Sequence, residues 1–180
     1  MKFLRKFSTQ DLLYIAIFSA LGLAIKPLIT PIAIMLTRML MITGGSLFGG
    51  LYMMWIVLAI ASVRKPWTGT LVGLIQGFVM LALGNAGPHG ALSLITFTLP
   101  GFAADMTAFF MKNYSKAISH ILVCIIANIT GTIIVSLLIW QLPFIPLLIS
   151  LGLSVLSAVP GGFLSFVIYR RLAQFGLVYE

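Results

Sequence analysis

Acidic residues are nearly missing from this chain: its 180 residues include three, Asp11, Asp105 and Glu180. So few carboxylates cannot support magnesium-dependent phosphoryl chemistry, and neither a Walker A sequence nor an H-E-x-x-H motif is present, so the chain does not hydrolyse ATP by itself. Cysteine occurs once, as Cys124 inside an apolar run, which excludes a disulfide framework and a cysteine zinc site. Charged residues of either sign make up 8% of the chain against 61% hydrophobic residues, with a mean hydropathy of +1.15. Polar surface is therefore far too scarce to cover a soluble globule, and the chain reads as a polytopic membrane protein.

At about 20 apolar residues per crossing, the length allows roughly six spans with short loops and no soluble domain. The expectation is an all-α integral membrane protein: one transmembrane domain over residues 1–180, folded as a six-helix bundle. The start, MKFLRKF, resembles the basic region of a signal peptide, but polar STQD follows and the next apolar stretch leads into more apolar sequence, so cleavage is not expected. A net charge of +8 would suggest nucleic acid in a soluble protein. Here the basic residues sit at segment ends, where they set topology, and no nucleic-acid partner is expected. A cytoplasmic N-terminus puts Lys2, Arg5, Lys6, Arg64, Lys65, Lys112, Lys116, Arg170 and Arg171 inside and leaves Lys26 and Arg38 outside. Nine against two is a strong asymmetry, and it makes the C-terminus cytoplasmic as well.

Span 1, 9–26, opens on the S-x-x-D pattern of Ser8 and Asp11. Ala16, Ala20 and Ala24 repeat along it at intervals of four and make one face smooth, for packing within the bundle or for a membrane partner. Two prolines in 26–35 suggest a loop or re-entrant segment. Span 2, 37–63, contains Gly44, Gly45, Gly49 and Gly50 and is a candidate for a bend. Spans 3 and 4, 67–84 and 91–111, form a hairpin through the uncharged turn GNAGPHG. Gln76 shares a stripe with the glycines of span 3; Phe97 and Asp105 share a face of span 4, where Pro100 is expected to kink the helix. Span 5, 117–140, carries Cys124, Asn128, Thr132, Ser136 and Trp140 at strict intervals of four. Span 6, 144–172, lines up Ser150, Ser154, Ser157 and Ser165, with a bend expected at Pro160.

Few of these residues can bind anything polar. Asp105 has either a structural role, paired with Arg64, Lys65 or a backbone donor, or a proton-linked one. Gln76 and Asn128 either cross-link helices or hydrogen-bond the ring edge of a substrate. Asn85 and His89 sit in the outer turn, and Trp140 is an interfacial anchor or a stacking wall. Gly44-Gly45-Ser46 faintly resembles the serine motif of rhomboid-type intramembrane proteases, but His89 and His120 are not placed to pair with it. An enzyme is not expected, nor is a cofactor or a metal site.

Six spans in under 200 residues, an inside N-terminus and the Ala16, Ala20, Ala24 pattern together resemble the substrate-binding S components of energy-coupling factor (ECF) vitamin transporters. The stretches VRKPWTGTLVGLIQGFVMLALGN and PGFAAD look most like the branch that handles thiamine or its hydroxymethylpyrimidine precursor. The resemblance implies a cell-membrane protein that captures a vitamin near its outer face and works with a transmembrane coupling subunit and two cytoplasmic ATPases. It implies partner docking at Ala16, Ala20 and Ala24, and a pocket drawing on Gln76, Asn85, His89, Phe97, Asn128 and Trp140. A thiazolium cation would favour a carboxylate, whereas the outer half has none and does have Lys26 and Arg38. A neutral pyrimidine, or a ligand bearing carboxylate or phosphate, is electrostatically easier. Two other readings remain at this stage: a stand-alone proton-coupled carrier using Asp105, and a membrane scaffold that binds no small molecule.

Overall fold

In a computed structural model, which describes residues 7–37, 42–84, 87–111 and 114–178, the chain is helical throughout and shows no strand among those residues. Seven α-helices follow in order: α1 Thr9–Ala24, α2 Lys26–Thr37, α3 Gly44–Val63, α4 Thr68–Ala82, α5 Ser93–Met111, α6 Ala117–Ile134 and α7 Phe144–Gln174. A 3₁₀ turn, Gly87–Leu92, leads into α5, and a π-helical stretch, Val135–Ile139, ends α6.

The start of α1 is fixed locally, because the Asp11 carboxylate accepts from the Ser8 backbone N–H at 2.6 Å while Ser8 Oγ accepts from Asp11 N–H. That is the reciprocal capping anticipated from S-x-x-D. Asp11 also pairs with Lys65, which ties the start of α1 to the α3–α4 turn. The stretch 26–35 departs from expectation: it is helix α2, not a loop or re-entrant segment. Pro27 falls in the first turn, where a missing N–H costs nothing, and Pro31 is carried inside the helix. α2 runs beside the N-terminal half of α3, with Thr30 facing Tyr52 and Ala33 against Gly44.

Helix α3 is the centre of the bundle, and its Leu58, Ala59 and Ala61 are wholly buried. The expected span 37–63 is divided next to its first glycines, since residues 42 and 43 are not helical and α3 starts only at Gly44; within α3 the glycines let backbones touch. A Cβ on Gly50 would run into the Ser157 carbonyl of α7, and one on Gly161 would run into the Gly50 carbonyl. α4 and α5 meet the same way, Gly69 lying against the Gly101 carbonyl with 2.8 Å available to a Cβ. Lipid gives no hydrophobic drive for helices to associate, so close approach and dispersion contacts must hold such a bundle.

Five helical stretches are long and apolar enough to cross a membrane, Thr9–Thr37, Gly44–Val63, Gly90–Met111, Ala117–Ile139 and Phe144–Gln174; α4 is shorter. One end of the bundle is basic: Arg64 donates to Tyr169 Oη at 2.5 Å and lies over the Tyr114 ring, with Arg170 following next in α7. The N-terminal ends of α3 and α7 and the C-terminal end of α6 lie at the other end.

Candidate functional site

At that far end a belt of polar groups joins α3, α6 and α7. Asn128 Nδ2 donates to the Ser154 carbonyl at 2.8 Å and to Ser157 Oγ at 3.0 Å, and Ser157 Oγ donates to the Ser46 carbonyl at 2.7 Å. Gly49 makes room for the Asn128 amide, since even a Cβ there would overlap it. Both N–H donors of the Asn128 amide are thus used within the belt, which forms a floor across the three helices.

One helical turn farther from the basic end the hydrogen bonding stops. α6 runs away from the basic end while α3 and α7 run toward it, so Thr132, Thr43 and Ser150 are the next polar residues beyond Asn128, Ser46 and Ser154, and Ser136 follows on α6. The hydroxyls of Thr43, Thr132, Ser136 and Ser150 are all buried and have no hydrogen-bond partner among the described residues. Ser19, Ser62 and Trp55 Nε1 are similarly unpartnered but scattered elsewhere. An unmade hydrogen bond at a buried polar group costs about 1–3 kcal/mol. The four follow one another along α3, α6 and α7 beyond the belt, a column of unspent hydrogen-bonding capacity inside the bundle. The π-helical stretch holds Ser136 at the top of this column; such wide turns recur at functional sites.

Across the outer half of α3 lies the other polar feature. Lys26 Nζ sits 3.4 Å from the centre of the Phe97 ring and 5.8 Å from that of Tyr52, whose hydroxyl is 3.4 Å from Thr30 Oγ1. Among the described residues no carboxylate forms a salt bridge with Lys26; the recorded pair is Lys65 with Asp11. A cation held between two aromatic faces is stabilised by their quadrupoles, which offsets part of the cost of burying this lysine.

The residues singled out from the sequence therefore separate. Asn128 belongs to the belt and Phe97 to the lysine corner. Gln76 is in neither: it is buried between α4 and α1, its Nε2 3.5 Å from the Ser19 carbonyl and packed over Gly22, where a side chain would not fit. Its cross-linking role is the one the contacts favour. Trp140 leaves the α6 stripe because the π turn shifts the register just before it, and it ends 55% exposed, in the position of an interfacial anchor rather than a wall. Asn85 lies outside the described residues, as does the side chain of His89. Ala16, Ala20 and Ala24 all face outward from α1. Asp105 is engaged structurally, accepting from Gly69 N–H at 2.9 Å, Thr70 N–H at 2.7 Å and Thr70 Oγ1 at 2.6 Å. It caps the N-terminus of α4 from α5, which is the backbone-donor alternative. None of the four orphaned hydroxyls was foreseen as a site residue; Thr132, Ser136 and Ser150 were visible in the stripes of spans 5 and 6, but whether a hydroxyl is bonded is not.

Residues 10–134 match the model of a family described as ABC-type cobalt transport system, permease component. No curated protein matches the sequence. The fold is similar to one solved as the crystal structure of an S-component of ECF transporter, with a TM-score of 0.77 and 19% identity over 94% of this chain and 87% of the other.

Proposed function

Because the chain belongs to the family of permease components of ABC-type cobalt transport systems, we propose that this multi-pass cell-membrane transport subunit is the substrate-capture component of an ECF-type importer. The reading holds that a vitamin or vitamin precursor enters from the outer face and docks over the Asn128 belt. The chain then delivers it inward with a coupling subunit and two ATPases that meet the outward face of Ala16, Ala20 and Ala24. The observation that carries it is the column of buried, unpartnered hydroxyls at Thr43, Thr132, Ser136 and Ser150. A ring edge with alternating nitrogen acceptors and an amino donor satisfies such hydroxyls, which act as donor or acceptor by rotating. The favoured cargo is thus a thiamine-related pyrimidine without the thiazolium charge.

The family's name supports a second reading, in which the cargo is a cobalt ion. Among the described residues no group of three His, Cys, Asp or Glu is placed to hold a metal. Neutral hydroxyls with no carboxylate, thiolate or imidazole grouped among them suit an organic solute better than a divalent cation.

Mass spectrometry of the purified protein tests both. A retained organic compound of vitamin size, displaced by added hydroxymethylpyrimidine, is the expected result. Cobalt at one ion per chain by elemental analysis, with no organic ligand retained or rebound, refutes the reading. Against the proton-carrier alternative speaks the use of Asp105 as an acceptor for the first turn of α4.

A further inference from the structure

Helix α7 ends in a pair of arginines with cavities on both flanks. One, about 470 Å³, is lined by Phe163, Phe166, Val167, Arg170, Arg171 and Gln174. The other, about 580 Å³, takes in Ser115, Tyr169 and Ala173 and shares Phe166, Arg170 and Gln174 with the first. The Arg170 side chain is the partition between them. Its guanidinium lies 5.8 Å over the Phe166 ring, which is itself held edge-on by His120 at 5.7 Å between centroids. Arg171 reaches Gln174 Oε1 at 3.3 Å. Both arginines are exposed, and neither cavity has an acidic residue in its lining. Of the acids among the described residues, Asp11 is paired with Lys65 and Asp105 caps α4, so neither neutralises this end.

The two walls differ in character. Phe163, 51% exposed, and Val167 form an exposed apolar strip along α7, two turns and one turn before the guanidinium pair. Guanidinium forks match phosphate oxygens in a bidentate way, and basic grooves between helices at the cytoplasmic surface hold lipid head groups. We propose that this double groove is a binding site for an anionic glycerophospholipid, its phosphate clasped by Arg170 and Arg171 and an acyl chain laid along Phe163 and Val167. The site lies on the opposite end of the bundle from the hydroxyl column, so it is independent of cargo capture. Its expected consequence is to fix α7 and the neighbouring α5–α6 turn against the inner leaflet.

The test uses the full chain, delipidated in a neutral detergent and re-equilibrated with phosphatidylglycerol and phosphatidylcholine of equal chain length, with bound lipid counted by native mass spectrometry. Two cations near an anionic head group predict a preference for phosphatidylglycerol of about thirtyfold, shrinking as salt is raised. The double variant Arg170→Gln/Arg171→Gln should lose that preference while keeping its melting temperature in detergent alone, and Arg170→Lys/Arg171→Lys should keep most of it. Equal retention of the two lipids overturns the proposal, as does a preference that survives the double glutamine variant. Displacement of the lipid by millimolar inorganic phosphate or glycerol phosphate would also overturn it, by assigning the groove to a soluble anion. Failure of these arms leaves the capture reading standing, since that depends on the other end of the molecule.

Discussion

Asp105→Asn is the substitution that most sharply separates a structural acid from a transporting one. The wild-type carboxylate accepts three hydrogen bonds, from Gly69 N–H, Thr70 N–H and Thr70 Oγ1, at 2.9, 2.7 and 2.6 Å. The two N–H groups belong to the first turn of α4, where no intrahelical acceptor exists. An asparagine keeps the shape and one accepting oxygen, but turns an NH₂ toward a backbone donor. One charge-assisted bond, worth about 1.5–3 kcal/mol, is lost, together with about 0.3–1 kcal/mol of charge-dipole attraction at the helix N-terminus. Rotation of the Thr70 hydroxyl to become an acceptor recovers part of this. The net expectation is a loss of about 2–3 kcal/mol, or roughly 4–12 °C in melting temperature at 2–4 °C per kcal/mol for a chain of this size. Thermal unfolding in detergent measures it, with ligand rebinding followed below the transition. Substrate affinity at low temperature should be unchanged, because Asp105 is near the basic end and the hydroxyl column is at the other. An Asp105→Asn protein that melts with the wild type, yet loses transport driven by a pH gradient in liposomes, would refute the capping argument and restore the proton-coupled carrier.

Removing the orphaned hydroxyls should do the opposite. Thr132→Val and Ser150→Ala delete buried groups that have no protein partner, so stability should hold or rise by up to about 1–2 kcal/mol, while affinity for the retained ligand falls about tenfold or more; lost stability with unchanged affinity would show the hydroxyls to be bonded within the protein. Ala20→Trp, on the outward face of α1, should leave ligand binding intact and abolish uptake in membranes that contain the coupling module, and normal uptake would remove this face from docking. Gly161→Ala places a Cβ against the Gly50 carbonyl and should cost about 1–3 kcal/mol by overpacking, read as a lower melting temperature. The same change at Gly152, where a Cβ meets nothing within 4 Å, should be neutral or slightly stabilising.

What the sequence made legible follows from what fixes each feature. Apolar run length places the ends of α5, α6 and α7 within a few residues, since hydrocarbon thickness leaves a helix little choice of length. The S-x-x-D cap at Ser8 is local chemistry and was readable for the same reason. Proline misled at 26–35: Pro27 sits in the first turn, where its missing N–H would not have been bonded, and α2 carries Pro31 in its interior without ending there. Glycine misled more subtly. Gly49 and Gly50 looked like places for α3 to bend, but a glycine in a membrane helix serves equally to admit a neighbouring backbone, and which it does depends on the partner helix. The amides show the same limit. Gln76 and Asn128 have the same chemistry and similar depth, yet one is closed by Ser19 and Gly22 of α1 and the other is the floor beneath four unbonded hydroxyls.

That contrast shows where a cargo site can form in so apolar a chain. Amides have two donors and two acceptor sites, so a helix interface that buries one must satisfy it with carbonyls and thereby closes around it, as α7 does around Asn128. Serine and threonine hydroxyls leave less unpaired when no partner comes, and a bundle can hold several open at modest cost each. A stripe of small hydroxyls above a bonded amide is therefore an arrangement by which a membrane helix bundle keeps hydrogen-bonding capacity unspent without unfolding. The four-residue spacing of Asn128, Thr132 and Ser136 on α6, opposite Ser150 and Ser154 on α7, builds that arrangement at the end of the molecule away from its arginines. The cargo then contributes the hydrogen bonds the protein withholds, so filling the column should raise the melting temperature in proportion to ligand concentration above its dissociation constant, by about 2.7 kcal/mol at a hundredfold excess.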